Sequence, residues 1–499
     1  IKGPGLYLIG CLTTITNCAI VSNIIYAGGG SYGGGIYASQ GALTLDGCTL
    51  AANGMASVGS GDQKFGGGLY AANNVNLVIR NSAVRGNFIY GQTTQQGAGI
   101  YAGGGNILLT NSLVIGNFGG GNRAYGGGLH VNSANSLVIA RTTCSSNFVS
   151  GTTASGAVAF ITACASVRIS DSAIIDNIKT GSSDDLVLNS ISNTLCENSR
   201  IGAGSGHGIN KGGLGQLTVS NCLIYAEMGS GIQIGTGTAW IANSTFADNS
   251  YWGVSNTYGI VTAIDSIVWN NGLGGISTNN LGASFLDAQN LVPGASNSTN
   301  DPRLVLGYYL SVSGLLFQTI DSPCIDAGSA SAAACGLSNR TTRTDGSNDT
   351  GQIDLGYHYT NSAAGGMTNL FLYVDAVNGD DAHEGWSWAD AVKTLTRAIN
   401  KAIDNSTINV STGRYYPGLG EQFPLVVQDL NMTIRGTNRE TTVIDNTTAA
   451  SNRLLTAASR GSLWLEGFTF TNGYATNLQG GALHLTSCRT TVTNCSFGK

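Results

Sequence analysis

The chain has 499 residues, of which 73 are glycine, 11 cysteine and only 6 proline, with 10% charged and 42% hydrophobic residues. A net charge of −5 and a pI near 5.5 give no electrostatic pull towards nucleic acid or an anionic membrane. The hydrophobic content on a regular pattern excludes a disordered chain, and no apolar run approaches the length of a membrane span.

In chain order, one phrase dominates the first third: apolar-x-apolar-x-x-small-x-apolar-x-x-Asn, at 43–53, 77–87, 107–117, 137–147 and 167–177, with a weaker copy at 13–23. Its asparagines, Asn23, Asn53, Asn87, Asn117, Asn147 and Asn177, recur at about 30 residues, and a fixed period of that size marks stacked structural repeats. Apolar residues two apart, such as Leu77 and Ile79, have strand periodicity. One strand per repeat cannot bury its face alone, so successive copies must stack as the coils of a parallel β-helix. The asparagines are then expected to form a structural ladder, each side-chain amide bonding its counterpart one coil away, about 4.8 Å along the stack. Asparagine is also expected to supply the left-handed backbone of that turn. Cys18 and Cys48 share the small position with Ser82, Ser112, Thr142 and Ser172, which reads as a buried packing site rather than reactive thiols.

The excess length after each asparagine, in 24–32, 54–65, 88–96, 118–125 and 148–155, forms loops on one side of the stack. Small-residue triplets follow four of them, each opening a strand with an aromatic ring second: Tyr37, Tyr70, Tyr101 and His130. Alternation points these outward as an exposed aromatic stripe, suited to binding glycans or a neighbouring rod, or to stacking on itself. From Asn198 the spacing tightens to 22–23 residues through Asn221, Asn243 and Asp265, and the coil pattern ends near Asn271. Residues 272–360 read as an end piece, in which Cys324 and Cys335 are disulfide candidates that would suit an exported protein. A small, polar linker spans 361–369. Residues 370–499 read as the capped start of another β-helix, with an amphipathic helix near 388–403 capped by Ser387, its face formed by Val392, Leu395, Ile399 and Ala402.

Several segments resemble right-handed parallel β-helix (pectate-lyase-like) surface proteins. Residues 373–381 through 407–415 look like the opening of such domains; Asp301-Pro302, 322–328 and 354–357 look like their close. Gly480-Gly-Ala-Leu and Phe246-Ala-Asp-Asn are similar to the short repeats of chlamydial polymorphic outer-membrane proteins. The resemblance implies an all-β, right-handed solenoid at a cell surface or outside the cell, and implies little about activity.

Chemistry is sparse. Asp184-Asp185 and Gly206-His207-Gly208 resemble two polygalacturonase motifs one coil apart, and a hydrolase needs such a paired acid and base. The substrate-subsite motifs Asn-Thr-Asp and Arg-Ile-Lys are missing around them, so no catalytic residue is assigned. Asp375, Asp380 and Asp381, and likewise Asp345, Asn348, Asp349 and Asp354, would accommodate calcium but read as turn residues; no metal or cofactor is expected.

The expectation is therefore a non-enzymatic structural repeat of an extracellular rod, fibre or sheath. An adhesin or glycan-binding β-helix is the alternative, and a polysaccharide lyase or hydrolase comes third. The end piece precedes the beginning, and residues 8–18 repeat the phrase of 485–495. With Ile1 of a second copy after Lys499, Cys488 to Cys11 and Cys495 to Cys18 would each span one 22-residue coil. Further copies of the chain are the expected partners, stacked head to tail.

Overall fold

The computed structural model describes residues 2–26, 29–56, 63–179, 184–277, 279–305, 308–314, 318–360, 371–383, 385, 388, 390–402, 406–428, 432–447, 453–458, 462–474, 480–486 and 489–498. Ile1, the linker, Ser387, Cys488 and Lys499 lie outside them. The chain forms a parallel β-solenoid and divides into two compact units. Ile1–Leu304, Leu310–Thr342 and Asn348–Asn361 form the first; Val305–Tyr309, Arg343–Ser347 and Ser362–Lys499 form the second.

In the first unit the repeated phrase stacks in register. Leu43, Leu77, Ile107, Leu137 and Val167 form one column along parallel strands, and Leu50, Val84, Val114, Cys144 and Ile174 another. All ten are buried in one core, each gaining about 1.5–3 kcal/mol from burial where the side chain is large and aliphatic. Because side chains alternate along a strand, a slip of one residue would turn a whole column to solvent, so the apolar pattern fixes the register. The long loops are themselves regular. They stack as a six-stranded sheet (Ile24–Tyr26, Gly54–Ala56, Phe88–Tyr90, Phe118–Gly120, Phe148–Ser150, Ile178–Lys179) and a five-stranded one (Ser31–Tyr32, Lys64–Phe65, Thr94–Gln96, Arg123–Tyr125, Thr153–Ser155).

Several expectations change. The coils continue past Asn271, since Leu281–Ala288 still pairs in parallel with Ile260–Trp269. The left-handed residue of the ladder turn is not the asparagine but the one before it: Ser22, Ala52, Gly86, Gly116, Ser146 and Asp176, with φ between 53° and 63°. The 22-residue series Asn198, Asn221, Asn243 and Asp265 is left-handed, φ 48–51°, but belongs to an earlier turn of the coil than the ladder.

Cys324 and Cys335 form no disulfide; both are free thiols. Cys324 is buried and directs its Sγ to the Asp287 carboxylate, 3.1 Å away, so the coil rather than the other cysteine holds it. The closing segment lies along the coils: the Gly356 N–H donates to Asp265 O, and Asn221 exchanges two bonds with the His358 backbone, at 2.6 and 3.0 Å.

In the second unit Leu372, Ile408, Ile434 and Leu465 stack in one column. The helix is shorter than expected, Leu395–Lys401, and Thr394 caps it, its Oγ1 accepting from the Arg397 N–H. The Asp381 carboxylate accepts the N–H groups of Lys393 and Thr394, both at 2.9 Å, which holds the preceding residues in a turn. Glu421 accepts from the first helical N–H groups, Leu395 and Thr396, at 2.6 and 2.8 Å, where a carboxylate best complements the helix end. Leu395, Ala398 and Ile399 then cover the core formed with Leu372, Ile408 and Leu425.

Candidate functional site

The ladder asparagines lie one above another. Asn53, Asn87, Asn117, Asn147 and Asn177 are all 0% exposed, a burial tolerable for an amide only with its bonds made. Asn87 shows the repeating unit. Its Nδ2 donates to Asn117 Oδ1 and to Leu50 O, both at 3.0 Å, and its Oδ1 accepts from the N–H and Nδ2 of Asn53 at 3.0 and 3.1 Å. Every polar atom of the amide is used, and donation runs one way along the stack. Asn23 joins the same series through Asn53 Oδ1, at 2.9 Å.

The triplet glycines acquire a reason here. A Cβ on Gly35, Gly68, Gly99 or Gly128 would lie 2.9–3.2 Å from the amide carbon of Asn53, Asn87, Asn117 or Asn147, so each coil pairs a glycine in one column with an amide in the other.

One coil exchanges the two. Strand register places Asp185 in the glycine column, between Val158 and Gly208, and Gly204 in the ladder column, between Asn177 and Glu227. The Asp185 carboxylate fills the space that the absent Gly204 side chain leaves: a Cβ there would lie 2.1 Å from Asp185 Oδ2. The next coil reverts to a glycine, Gly208, but its ladder residue is Glu227, after which Asn249 and Asn271 resume the series. Two acids thus occupy consecutive rungs, and both are 0% exposed.

Other polar groups gather around them. Asp184 accepts from Asn210 Nδ2 at 2.8 Å and lies 4.0 Å from His207 Nε2. His207 Nδ1 accepts the Ser230 N–H at 2.7 Å, so Nε2 is the nitrogen that faces Asp184. Burial, then the Asp185 carboxylate, then Asp184 and Asp176 raise Glu227 well above the usual carboxylate range, against a lowering by the Gly204 N–H; burial also raises Asp176. Lys211 sits in a core column and donates to the carbonyls of Gly213 and Thr236, at 2.7 and 3.1 Å. The motif pair Asp184-Asp185 and His207 is therefore brought together, as its spacing predicts. Glu227 completes the group and was missed, because the 22-residue series was followed along the other turn; laying the phrase on 217–227 would have found it.

The aromatic stripe is not exposed. Tyr7, Tyr37, Tyr70, Tyr101, His130 and Phe160 stack face to face with centroids 5.0–5.4 Å apart. Loop rings cover the stack edge-on, with Tyr32 against Tyr70 and Phe65 against Tyr101. Tyr37 is 5% and His130 3% exposed, and burial lowers the His130 pKa to about 3. The sequence places these rings outside the core; the loops close over them.

Of the carboxylates weighed for calcium, Asp349 and Asp354 lie with Asp326, their ligand atoms within 4.8 Å of one another. Each already has work: Asp354 accepts from the Asp326 N–H and Thr342 hydroxyl, and Asp349 meets His358 Nε2 at 2.7 Å. Asp345 pairs instead with Arg343 at 3.1 Å. Asp375 and Asp380 each take the backbone N–H two residues on, as turn residues do, whereas Asp381 takes those of Lys393 and Thr394.

Over 99% of its length the chain is similar to a solved PL6 family alginate lyase, AlyGC, at 12% identity, 74% coverage of that chain and a TM-score of 0.23. A mutant of the same lyase matches at 14% identity, 99% and 73% coverage and a TM-score of 0.20. A search of curated proteins returns no match. Residues 377–499 match the family described as "Protein of unknown function (DUF1565)".

Proposed function

We propose that the chain is a structural repeat unit of an extracellular rod, fibre or sheath whose copies stack end to end, the coils after Phe371 of one copy lying under the first coils of the next. The observation that carries this reading is a matched turn. Asn494-Cys495 and Asn17-Cys18 share the left-handed asparagine, φ 48° and 51°, and the same bond from the cysteine Sγ to the carbonyl two residues back, 3.2 Å in each. A coil that carries one of these turns can stack in register on a coil that carries the other. Residues that such a coil would meet are exposed, among them Leu12 at 86% and Phe497 at 51%, and pairing would remove open strand edges. The burial of Asp185 and Glu227 also supports a structural role, since a polymer substrate cannot reach them.

Sedimentation of the full chain over a concentration series tests this. The wild type should grow in size with concentration, and Phe497→Asp should hold it at one size. A wild type that sediments as a single copy throughout overturns the reading.

One observation favours glycan binding as a second reading. Among the described residues, the outer face of the six-stranded loop sheet carries no charge, and Tyr26 and Tyr90 stand on it at 77% and 53% exposure. They lie two coils apart in one row, about 10 Å. Tyr26→Ala and Tyr90→Ala should abolish binding on a neutral-glycan array, and Tyr70→Ala should not.

A further inference from the structure

The ladder has a direction. Within a run of amides each rung donates from its Nδ2 to the Oδ1 of the next, as Asn53 does to Asn87, Asn87 to Asn117, Asn117 to Asn147 and Asn249 to Asn271; Asn177, the last amide before the acids, donates instead to the carbonyls of Cys144 and Ile175. A carboxylate has no hydrogen to give, so a rung that becomes a carboxylate accepts and cannot donate. The Asp185 carboxylate, seated in the Gly204 hollow, and Glu227 are successive rungs, about 4.8 Å apart along the stack. As two carboxylates they would set two like charges side by side in a fully buried space. As a carboxylic acid beside a carboxylate they would carry one charge fewer and regain a donor pointing along the stack.

We propose that Asp185 and Glu227 form a proton-binding site in the wall of the solenoid, holding one proton between them in place of an amide hydrogen, so that this coil is a pH-sensitive joint in an otherwise uncharged ladder. Among the described residues, the charged groups that act on Glu227 are acidic. Asp184 and Asp176 raise the proton affinity of Glu227 further, after burial and Asp185. His207, the basic residue beside Asp184, accepts the Ser230 N–H on its Nδ1 and lies 4.0 Å from Asp184 through Nε2. Glu227 makes no ion pair among the described residues, and its backbone N–H bonds Asn249 Oδ1 at 3.1 Å, so the regular ladder resumes one rung later.

The sign follows from linkage. A carboxyl whose folded pKa is raised is protonated in the folded chain and ionised in the unfolded one between the two values. Its contribution is complete below the ordinary value of 4.5 and is lost as pH rises towards the raised one. The joint is closed in acid and weakens in alkali. Glu227→Gln supplies a permanent donor and removes one charge, as does Asp185→Asn.

The test is unfolding of the full chain in denaturant at a series of pH values, with hydrogen exchange read at the amides of residues 185, 204 and 227. In the wild type, stability should fall from pH 5 to pH 9 and exchange at these amides should rise faster with pH than at those of residues 87 and 117. In E227Q the slope should flatten and local protection should become independent of pH. Infrared difference spectra of the wild type at pH 7 should show the carbonyl stretch of a buried protonated carboxyl, lost in E227Q and D185N; this reading survives if either variant folds poorly. An unchanged pH slope in E227Q, or no protonated-carboxyl band, overturns the proposal. So does a wild type stabilised by calcium or magnesium at pH 7 in a manner lost in E227Q, because a cation would then neutralise the pair.

Discussion

Coils 43–177 and coils 184–271 of the first unit are built on the same turn but fill it differently. In the first, five consecutive buried rungs are asparagine; the first four face a glycine, and the fifth coil has Val158 in that column. In the second, the large and small residues change columns at Asp185 and Gly204, an acid follows at Glu227, and only then do amides return at Asn249 and Asn271. The difference teaches that the fold conserves a filled volume rather than a residue at a position. An aspartate can serve one rung from the opposite strand.

The largest effect should come from putting an isolated acid into the regular part. Asn117→Asp has two acceptors ahead of it, Val84 O and Asn147 Oδ1, and ionised there it is an uncompensated buried charge, costing about 3–5 kcal/mol. Its folded pKa should rise, so the loss should be full at pH 8 and shrink as pH falls towards 4; a pH-independent loss in urea unfolding would break the comparison. Next is the exchange of columns. Gly204→Asn alone forces a side chain into the Asp185 carboxylate and should cost about 1–3 kcal/mol. The double variant with Asp185→Gly restores the regular arrangement and should recover that loss, a coupling of about 2 kcal/mol in a double-mutant cycle. Additive losses would show that the two side chains do not share one space.

Asn117→Ala should cost about 1–3 kcal/mol, because the Asn87 amide loses its acceptor, with hydrogen exchange rising at residues 87 and 147 and not at residue 23 or beyond residue 204. The smallest change at neutral pH should be His130→Phe, an aromatic replacement within the stack between Tyr101 and Phe160. The folded pKa of His130, about 3, lies below its ordinary 6.5, so its contribution is complete above 6.5 and lost as pH falls towards 3. The phenylalanine variant should lack that acid loss in a melting series from pH 7 to pH 3.

Much of this was legible in the sequence. The period, the strand columns, the asparagine rungs and the approach of His207 to Asp184 follow from spacing, since register in a stacked strand is fixed by the apolar pattern. The covering of Tyr37 to His130 was not legible, because it depends on Tyr32 and Phe65 in loops whose two-residue strands carry no periodic signal. The short helix was obscured in a similar way. Val392 and Leu395 fit one helical face, but Asp381 and Glu421, distant in sequence, decide where the N–H groups point. Cys324 and Cys335 illustrate the limit of reading a pair from proximity along the chain, since Cys324 faces Asp287, 37 residues away.

The proposed end-to-end assembly would extend from one copy to the next the coil-on-coil stacking that each unit shows by itself. Electron diffraction from the native assembly tests it most directly. The account predicts filaments with a continuous repeat of about 4.8 Å along the axis, unbroken where one copy's Cys495 turn meets the next copy's Cys18 turn. Separate particles one copy long, or filaments with a gap in that repeat at every junction, would contradict it.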